Sequence, residues 1–205
     1  MDLAFTPEEI VFRDEMRAFF RSKIPDSIRA KVAEGEGLTK EDLQTSQRIM
    51  HDHGLATVNW PVAWGGKDWS PVQVYLYQDE MQQANAPTPI AFNVSMVGPV
   101  IAQFGSEEMK ARFLPKTSSA EIFWCQGFSE PGAGSDLASL KTTAIRNGDH
   151  YVVNGQKVWT SKAHKSNWMF LLCRTDPSAK KHNGISYLLV DMKTPGITVR
   201  PILTL

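Results

Sequence analysis

The chain has 205 residues, 42% of them hydrophobic and 21% charged, with 22 lysines and arginines against 22 aspartates and glutamates. That composition excludes disorder over most of the length and is enough for a packed core without staples. A formal net charge of zero excludes a nucleic-acid footprint at the level of the whole chain, and no apolar run reaches the ~18 residues of a membrane span.

The N-terminal ~115 residues read as helices, because start signals recur in them. Thr6-Pro7-Glu8-Glu9 sets an N-cap hydroxyl, a proline at the first helical position and a glutamate at the third, with Phe5 and Ile10 placed as a hydrophobic staple. Phe12, Met16, Phe19 and Phe20 follow at helical spacing and predict one apolar face. The same grammar starts helices at Thr39 and Ser70, with Gly54 and Pro87 as their terminators. Two more helices are expected over 89–104 and 106–114. A loop rich in tryptophan and glycine, Trp60-Pro61-Val62-Ala63-Trp64-Gly65-Gly66, lies between the second and third helices.

From about residue 121 the pattern changes to short β-branched and aromatic runs between turn pairs. Asn147-Gly148 and Asn154-Gly155 are hairpin signals flanking His150-Tyr151-Val152-Val153. Further strands are expected over Trp168–Cys173, Ile185–Val190 and Ile197–Arg200, giving a meander of at least five. The fold class is therefore α+β: a helical domain over 1–120, then an antiparallel β domain over 121–205. Arg200 to Leu205 reads as a strand leading onward, so the chain is expected to be a partial one. Cys125 and Cys173 sit among apolar neighbours, far apart, and are read as buried free thiols. An N-terminus with Glu8 and Glu9 and no basic or apolar leader region points to the cytoplasm.

Three chemistries fail at the glycine-rich segment Gly127-Phe128-Ser129-Glu130-Pro131-Gly132-Ala133-Gly134-Ser135-Asp136. Pro131 stands where a nucleophile elbow needs its second glycine. Leu137 replaces the third glycine of a dinucleotide fingerprint, and no Gly-Lys-Ser/Thr of a Walker loop occurs. What remains offers backbone N–H groups and two hydroxyls suited to phosphate or a polar ring edge, unless it is simply a wide structural turn. Lys157-Val158-Trp159-Thr160-Ser161, read as a short strand, could give a planar ligand a stacking face and hydroxyls, or could be a core tryptophan with surface hydroxyls. His51 and His53 on a helix stand ~200° apart and cannot share a metal. His150, His164 and His182 are isolated surface residues, and Lys162, Lys165, Lys180 and Lys181 read as solvated charge, though they could meet a phosphate. Phe92, Ser95, Met96 and Val100 share a helical face, where core packing is expected.

Together, Phe128 to Asp136 and Asn154 to Ser161 resemble the flavin-binding middle domain of the acyl-CoA dehydrogenase family. Trp60-Pro61 with Gly65-Gly66, and Gly98-Pro99 before Phe104-Gly105, are similar to that family's helical N-terminal domain. The resemblance runs over essentially the whole chain and implies the N-terminal half of the enzyme, cut inside the middle domain and without the C-terminal four-helix domain. It implies an FAD-dependent oxidoreductase of fatty acid metabolism that oxidises an acyl-CoA thioester to the trans-2-enoyl-CoA. A glutamate takes the α-proton, the β-hydrogen leaves as hydride, and electrons pass to an electron-transfer flavoprotein. For FAD it implies Gln126, Phe128 and Ser129 along the ring, with Ser129 at the pyrimidine edge. Ser135 would lie by the pyrophosphate, Trp159 against the isoalloxazine and Ser161 near N5, with Gly134 and Thr160 also among the FAD-binding residues. For the substrate it implies Ser135 by the CoA phosphates, and Phe92, Ser95 and Met96 near the acyl pocket. Serine stands at 129 and 161 where the family commonly has threonine, and Lys162 replaces a frequent asparagine. The family's base lies in the absent domain, so no catalytic residue is assigned; Glu130 is read as bracing its loop, and the chain alone is expected to be inactive. A homo-oligomer (dimer or tetramer) is expected, or a hetero-oligomer with a paralogous subunit in which this chain could be a non-catalytic partner. A CoA-binding scaffold without flavin is a third reading.

Overall fold

The computed structural model describes residues 4–202. The chain forms two compact units, 1–122 and 123–205.

The first unit is helical: α1 (Pro7–Lys23), α2 (Asp26–Ala33), α3 (Lys40–Asp52), α4 (Pro71–Gln83), a π-helical turn (Phe92–Val97) running into α5 (Gly98–Phe104), and α6 (Glu107–Ser118). The expected caps form. Thr6, Thr39 and Ser70 each accept the N–H of the third helical residue, whose own side chain accepts the cap N–H in return. Each such cap is worth about 1 kcal/mol. Ser106 also caps α6, accepting the Met109 N–H without a return bond, but α6 carries Pro115 within it and continues to Ser118. Phe5 and Ile10 remain exposed, so the staple buries little. The α1 stripe forms as expected: Met16 and Phe20 are buried, and Phe12 and Phe19 pack partly against the same core with Ile24, Met50, Tyr77 and Met81. Arg17 adds a polar tie from α1 to α4, its Nε and Nη2 donating to the buried carboxylate of Glu80 at 3.0 and 2.7 Å.

Two helices end differently from expectation or were not foreseen. Asn85, in left-handed backbone at φ 53°, closes α4, with the Ala86 N–H reaching back to Met81 O at 3.0 Å; Pro87 follows this stop and does not make it. The short α2 has no side-chain cap, which removes the signal that would reveal it.

The helix expected over 89–104 instead contains the π turn. Asn93, fully buried, donates through Nδ2 to Thr117 O and Ile122 O at 2.8 and 2.7 Å. Buried Gln47 joins the same polar girdle, accepting the Ile90 N–H at 2.8 Å and donating to Ser118 O at 2.9 Å. The Trp60 indole N–H donates to Val94 O at 2.7 Å, and its ring lies directly against Gly98, where any Cβ would run into it. Gly98→Ala is expected to cost about 1–3 kcal/mol by overpacking, read as a lower thermal midpoint of the helical unit.

Among the described residues the second unit holds five strands: β1 (Trp124–Gly127), β2 (Thr143–Asn147), β3 (His150–Asn154), β4 (Trp168–Arg174) and β5 (Ile185–Asp191). β2–β3 and β4–β5 are antiparallel pairs, whereas β1 and β2 both join β4 in parallel. The sheet is thus not a meander: β4 is its centre, pairing with β1 and β2, which are distant in sequence, as well as with the strand that follows it, β5. Ala144, Leu171 and Cys173 form a buried cluster under it, and both cysteines are free and buried, as expected. Asn147-Gly148 marks the β2–β3 hairpin, but Asn154-Gly155 makes none. Gly155 packs on Thr142, where a Cβ would collide with its side chain, and the chain then runs irregularly to residue 160. Lys157–Ser161 is therefore not a strand. Ile197–Arg200 is not one either; of the onward strand read over Arg200–Leu205, residues 200–202 are not in a strand and 203–205 lie outside the described residues. Among the described residues no helix is long and apolar enough to cross a membrane.

Candidate functional site

The candidate residues of the β unit come from two segments. The first leaves β1: Gln126 lies in the strand opposite Phe170, and Phe128 meets Phe170 and Tyr187 edge-on, at ring-centre distances of 5.7 and 6.2 Å. Those contacts fix the Phe128 ring, while Ser129 stays half-exposed. The loop then closes on itself, Glu130 and Ala133 exchanging both backbone hydrogen bonds at 2.8 and 3.1 Å, and leaves Gly134 and Ser135 exposed. Asp136 holds Lys181 Nζ at 2.8 Å, so that lysine is engaged by the loop and not simply solvated. Past the loop comes a single 3-10 turn, Leu137–Ser139, whose exit Arg174 ties down by donating to Ala138 O at 2.9 Å.

The second segment runs from Lys157 to Ser161. Trp159 has left-handed backbone, φ 59°, and its side chain is 69% exposed. A bulky residue there costs about 1–3 kcal/mol, and a large exposed ring forfeits the burial that would offset it. The Ser161 N–H donates to Trp159 O at 2.8 Å, holding the turn; Ser161 is exposed and Thr160 half-buried. Lys162, also left-handed at φ 64°, places its ammonium 5.9 Å from the Phe123 ring centre; burial, with Lys165 beside it, lowers its pKa.

The two segments meet. The Val158 N–H donates to Ser129 O at 2.9 Å, and Lys157 Nζ donates to Phe128 O at 2.9 Å and to Glu130 Oε1 at 2.8 Å. The Glu130 carboxylate also accepts the Lys141 and Thr142 N–H groups at 2.7 and 2.9 Å. Burial pushes the Glu130 carboxyl up, but Lys157 and the two amides outweigh it and hold the pKa at about 2. A carboxylate so acidic and so fully engaged is a brace and a poor proton acceptor near neutral pH. The bracing read from the sequence is what the hydrogen bonds show; the part of Lys157 was missed, although it stood within the quoted motif.

The helical unit carries the remaining candidates, Phe92, Ser95 and Met96. They lie on the π turn, which changes the period that put them on one core-facing stripe. Ser95 and Met96 are exposed and Phe92 and Val100 half-buried, while Asn93 and Val97 face inward, so core packing does not describe them. A cavity of about 260 Å³ in this unit, lined by His51, Thr57, Trp64, Leu114 and Ser118 among others, contains none of the candidates. His51 and His53 bond separately, to Ser118 Oγ and Ile49 O, and no cluster of metal-ligating side chains occurs among the described residues.

A helical unit followed by a sheet unit with this glycine-serine loop has the domain order of the first two domains of acyl-CoA dehydrogenases. Family models agree: the acyl-CoA dehydrogenase N-terminal domain matches residues 6–121, and the middle domain matches 125–205. The chain belongs to the acyl-CoA dehydrogenase family. The acyl-CoA dehydrogenase FadE29 of Mycobacterium tuberculosis is 41% identical over 204 residues, covering 99% of this chain and 52% of that protein. The ChsE4-ChsE5 complex of the same organism superposes with a TM-score of 0.82 at 36% identity, over 100% of this chain and 51% of that one. The Tcur3481-Tcur3483 steroid ACAD gives a TM-score of 0.83 at 37% identity, over 98% and 52%. The chain spans about half the length of these relatives.

Proposed function

We propose that this chain is the flavin-binding half of an FAD-dependent acyl-CoA dehydrogenase that works beside a second, paralogous subunit. The observation that carries the reading is the exposed Trp159 indole, held in left-handed backbone and tied to the Ser129 segment. The residues present fit a planar ring with a polar edge: an aromatic face at Trp159, hydroxyls at Ser129, Thr160 and Ser161, and open loop backbone at Gly134 and Ser135. FAD, when bound, supplies the hydride acceptor for α,β-dehydrogenation of an acyl-CoA. In this reading Trp159 stacks on the ring, and Ser129 and Ser161 bond its heteroatoms. Gln126 and Phe128 line it, and Gly134 and Ser135 receive phosphate. Phe92, Ser95 and Met96 meet the acyl chain. Glu130 is committed to its brace, so the α-proton goes to a carboxylate supplied elsewhere. An electron-transfer flavoprotein takes the electrons.

Two of the structural relatives are described as subunit pairs, and one as a steroid enzyme. They favour a hetero-oligomer and a steroid-bearing acyl thioester as substrate. Those same pairs also support a second reading, in which this chain is the non-catalytic partner.

The test is FAD titration of the purified chain, alone and co-expressed with a candidate partner subunit, followed by flavin fluorescence. Saturable quenching is expected, strengthened by the partner and lost in Trp159→Ala. Binding indifferent to Trp159→Ala would refute the site. With the partner present, flavin bleaching by a steroid acyl-CoA supports the enzyme. Bleaching that persists when only the partner holds flavin supports the non-catalytic role.

A further inference from the structure

The two segments that present Ser129 and Trp159 are far apart in sequence, and no strand ladder joins them, because residues 155–160 form no regular structure. What joins them is one backbone hydrogen bond, Val158 N–H to Ser129 O, and a side-chain tie below it. Lys157 supplies the tie. One ammonium N–H goes to the Phe128 carbonyl, immediately before Ser129, and another to Glu130, immediately after it. Glu130 is fixed in turn by the Lys141 and Thr142 amides at the entry to β2. Both charged side chains are buried, 9% exposed for Lys157 and 7% for Glu130.

Burying such a pair costs desolvation that the attraction roughly repays, and an apolar pair of similar volume commonly stabilises a fold as well or better. Stability alone therefore gives no reason for charges here. Geometry does. The tie has fixed directions: it leaves the chain two residues before Trp159 and ends on the Phe128 carbonyl and the Glu130 carboxylate, on the two neighbours of Ser129.

We propose that Glu130 and Lys157 are positioning residues, whose buried ion pair sets the placement of Trp159 relative to Ser129. The flavin part of this inference rests on the function proposed above; the placement itself does not.

The test uses the 205-residue chain labelled with fluorotryptophan and read by fluorine NMR without ligand. The Trp159 resonance is assigned by its loss in Trp159→Phe. The informative variant is Glu130→Gln with Lys157→Met, a neutral pair that removes the tie without stranding a buried charge. Its Trp159 resonance is expected to shift or broaden, while those of Trp124 and Trp168 in the same unit stay in place. Lys157→Arg, which keeps charge and donors, is expected to restore the wild-type position. FAD affinity should fall at least about tenfold in the neutral pair and stay within about threefold in Lys157→Arg.

An unmoved Trp159 resonance in the neutral pair overturns the proposal. So does a common shift of all three resonances, which would make the pair a general prop of the unit. A moved resonance with unchanged FAD affinity overturns its link to the ring site. If the wild-type chain binds no FAD, the flavin reading fails alone and the resonances still decide the placement. Should the neutral pair not fold, Glu130→Asp, which keeps the charge and shortens its reach, is read by the same resonances.

Discussion

Lys157→Met alone is expected to destabilise the β unit by about 3–5 kcal/mol, because it leaves the Glu130 carboxylate buried without its counter-charge. Most of that loss should return when Glu130→Gln is added, since the second change removes the stranded charge. The coupling, read from a double-mutant cycle in urea, isolates the pair from the rest of the sheet. A small single-variant effect, within about 0.5 kcal/mol of wild type, would mean that water reaches the carboxylate. Acid gives a second measurement. The native pKa of Glu130, about 2, lies below the ordinary glutamate value of about 4.3. Its contribution is therefore fully present above about pH 4.3 and is lost as pH falls through about 2. In the Glu130→Gln variant that acid-sensitive part of the stability curve should flatten, and an unchanged curve would remove Glu130 from the account.

The second large effect belongs to the hydroxyls. If Ser129 and Ser161 each give one neutral hydrogen bond to the bound ring, the double change to alanine should weaken FAD binding by about 2 kcal/mol, roughly thirtyfold. Both residues retain solvent exposure in the chain itself, Ser129 in part, so the fold should not suffer, and equilibrium titration separates the two effects. An unchanged dissociation constant with intact folding would take both serines out of the site.

What the sequence made legible follows from the range of each interaction. Helix caps are local: Thr6, Thr39, Ser70 and Ser106 each announce a helix within four residues, and each forms. α2 lacks that local mark and was invisible for the same reason. The π turn defeats a reading built on a period of 3.6, which is why Ser95 and Met96 were placed in the core and are found exposed. The parallel joining of β1 and β2 to β4 is set by distant segments, and no turn signal encodes it. Asn154-Gly155 carries the same two letters as a hairpin turn, but there glycine answers a close approach by Thr142. At the candidate site, the residue types were readable from the two motifs, while the clasp between them was not. A lysine twenty-nine positions from its carbonyl partner leaves no periodic trace.

Trp60 and Gly98 have a consequence for how such chains can change over time. The indole bonds Val94 O on one side and fills the space a side chain at 98 would need on the other. Either position altered alone leaves a clash or a void, and an indole lost also strands a carbonyl within the π turn. The two sites are therefore bound to drift as a couple: among homologous sequences, a larger residue at 98 should occur only where the ring at 60 has given way to something smaller. Of all the couplings in the helical unit, this one should be recoverable from sequence variation alone, across a separation that no local motif spans.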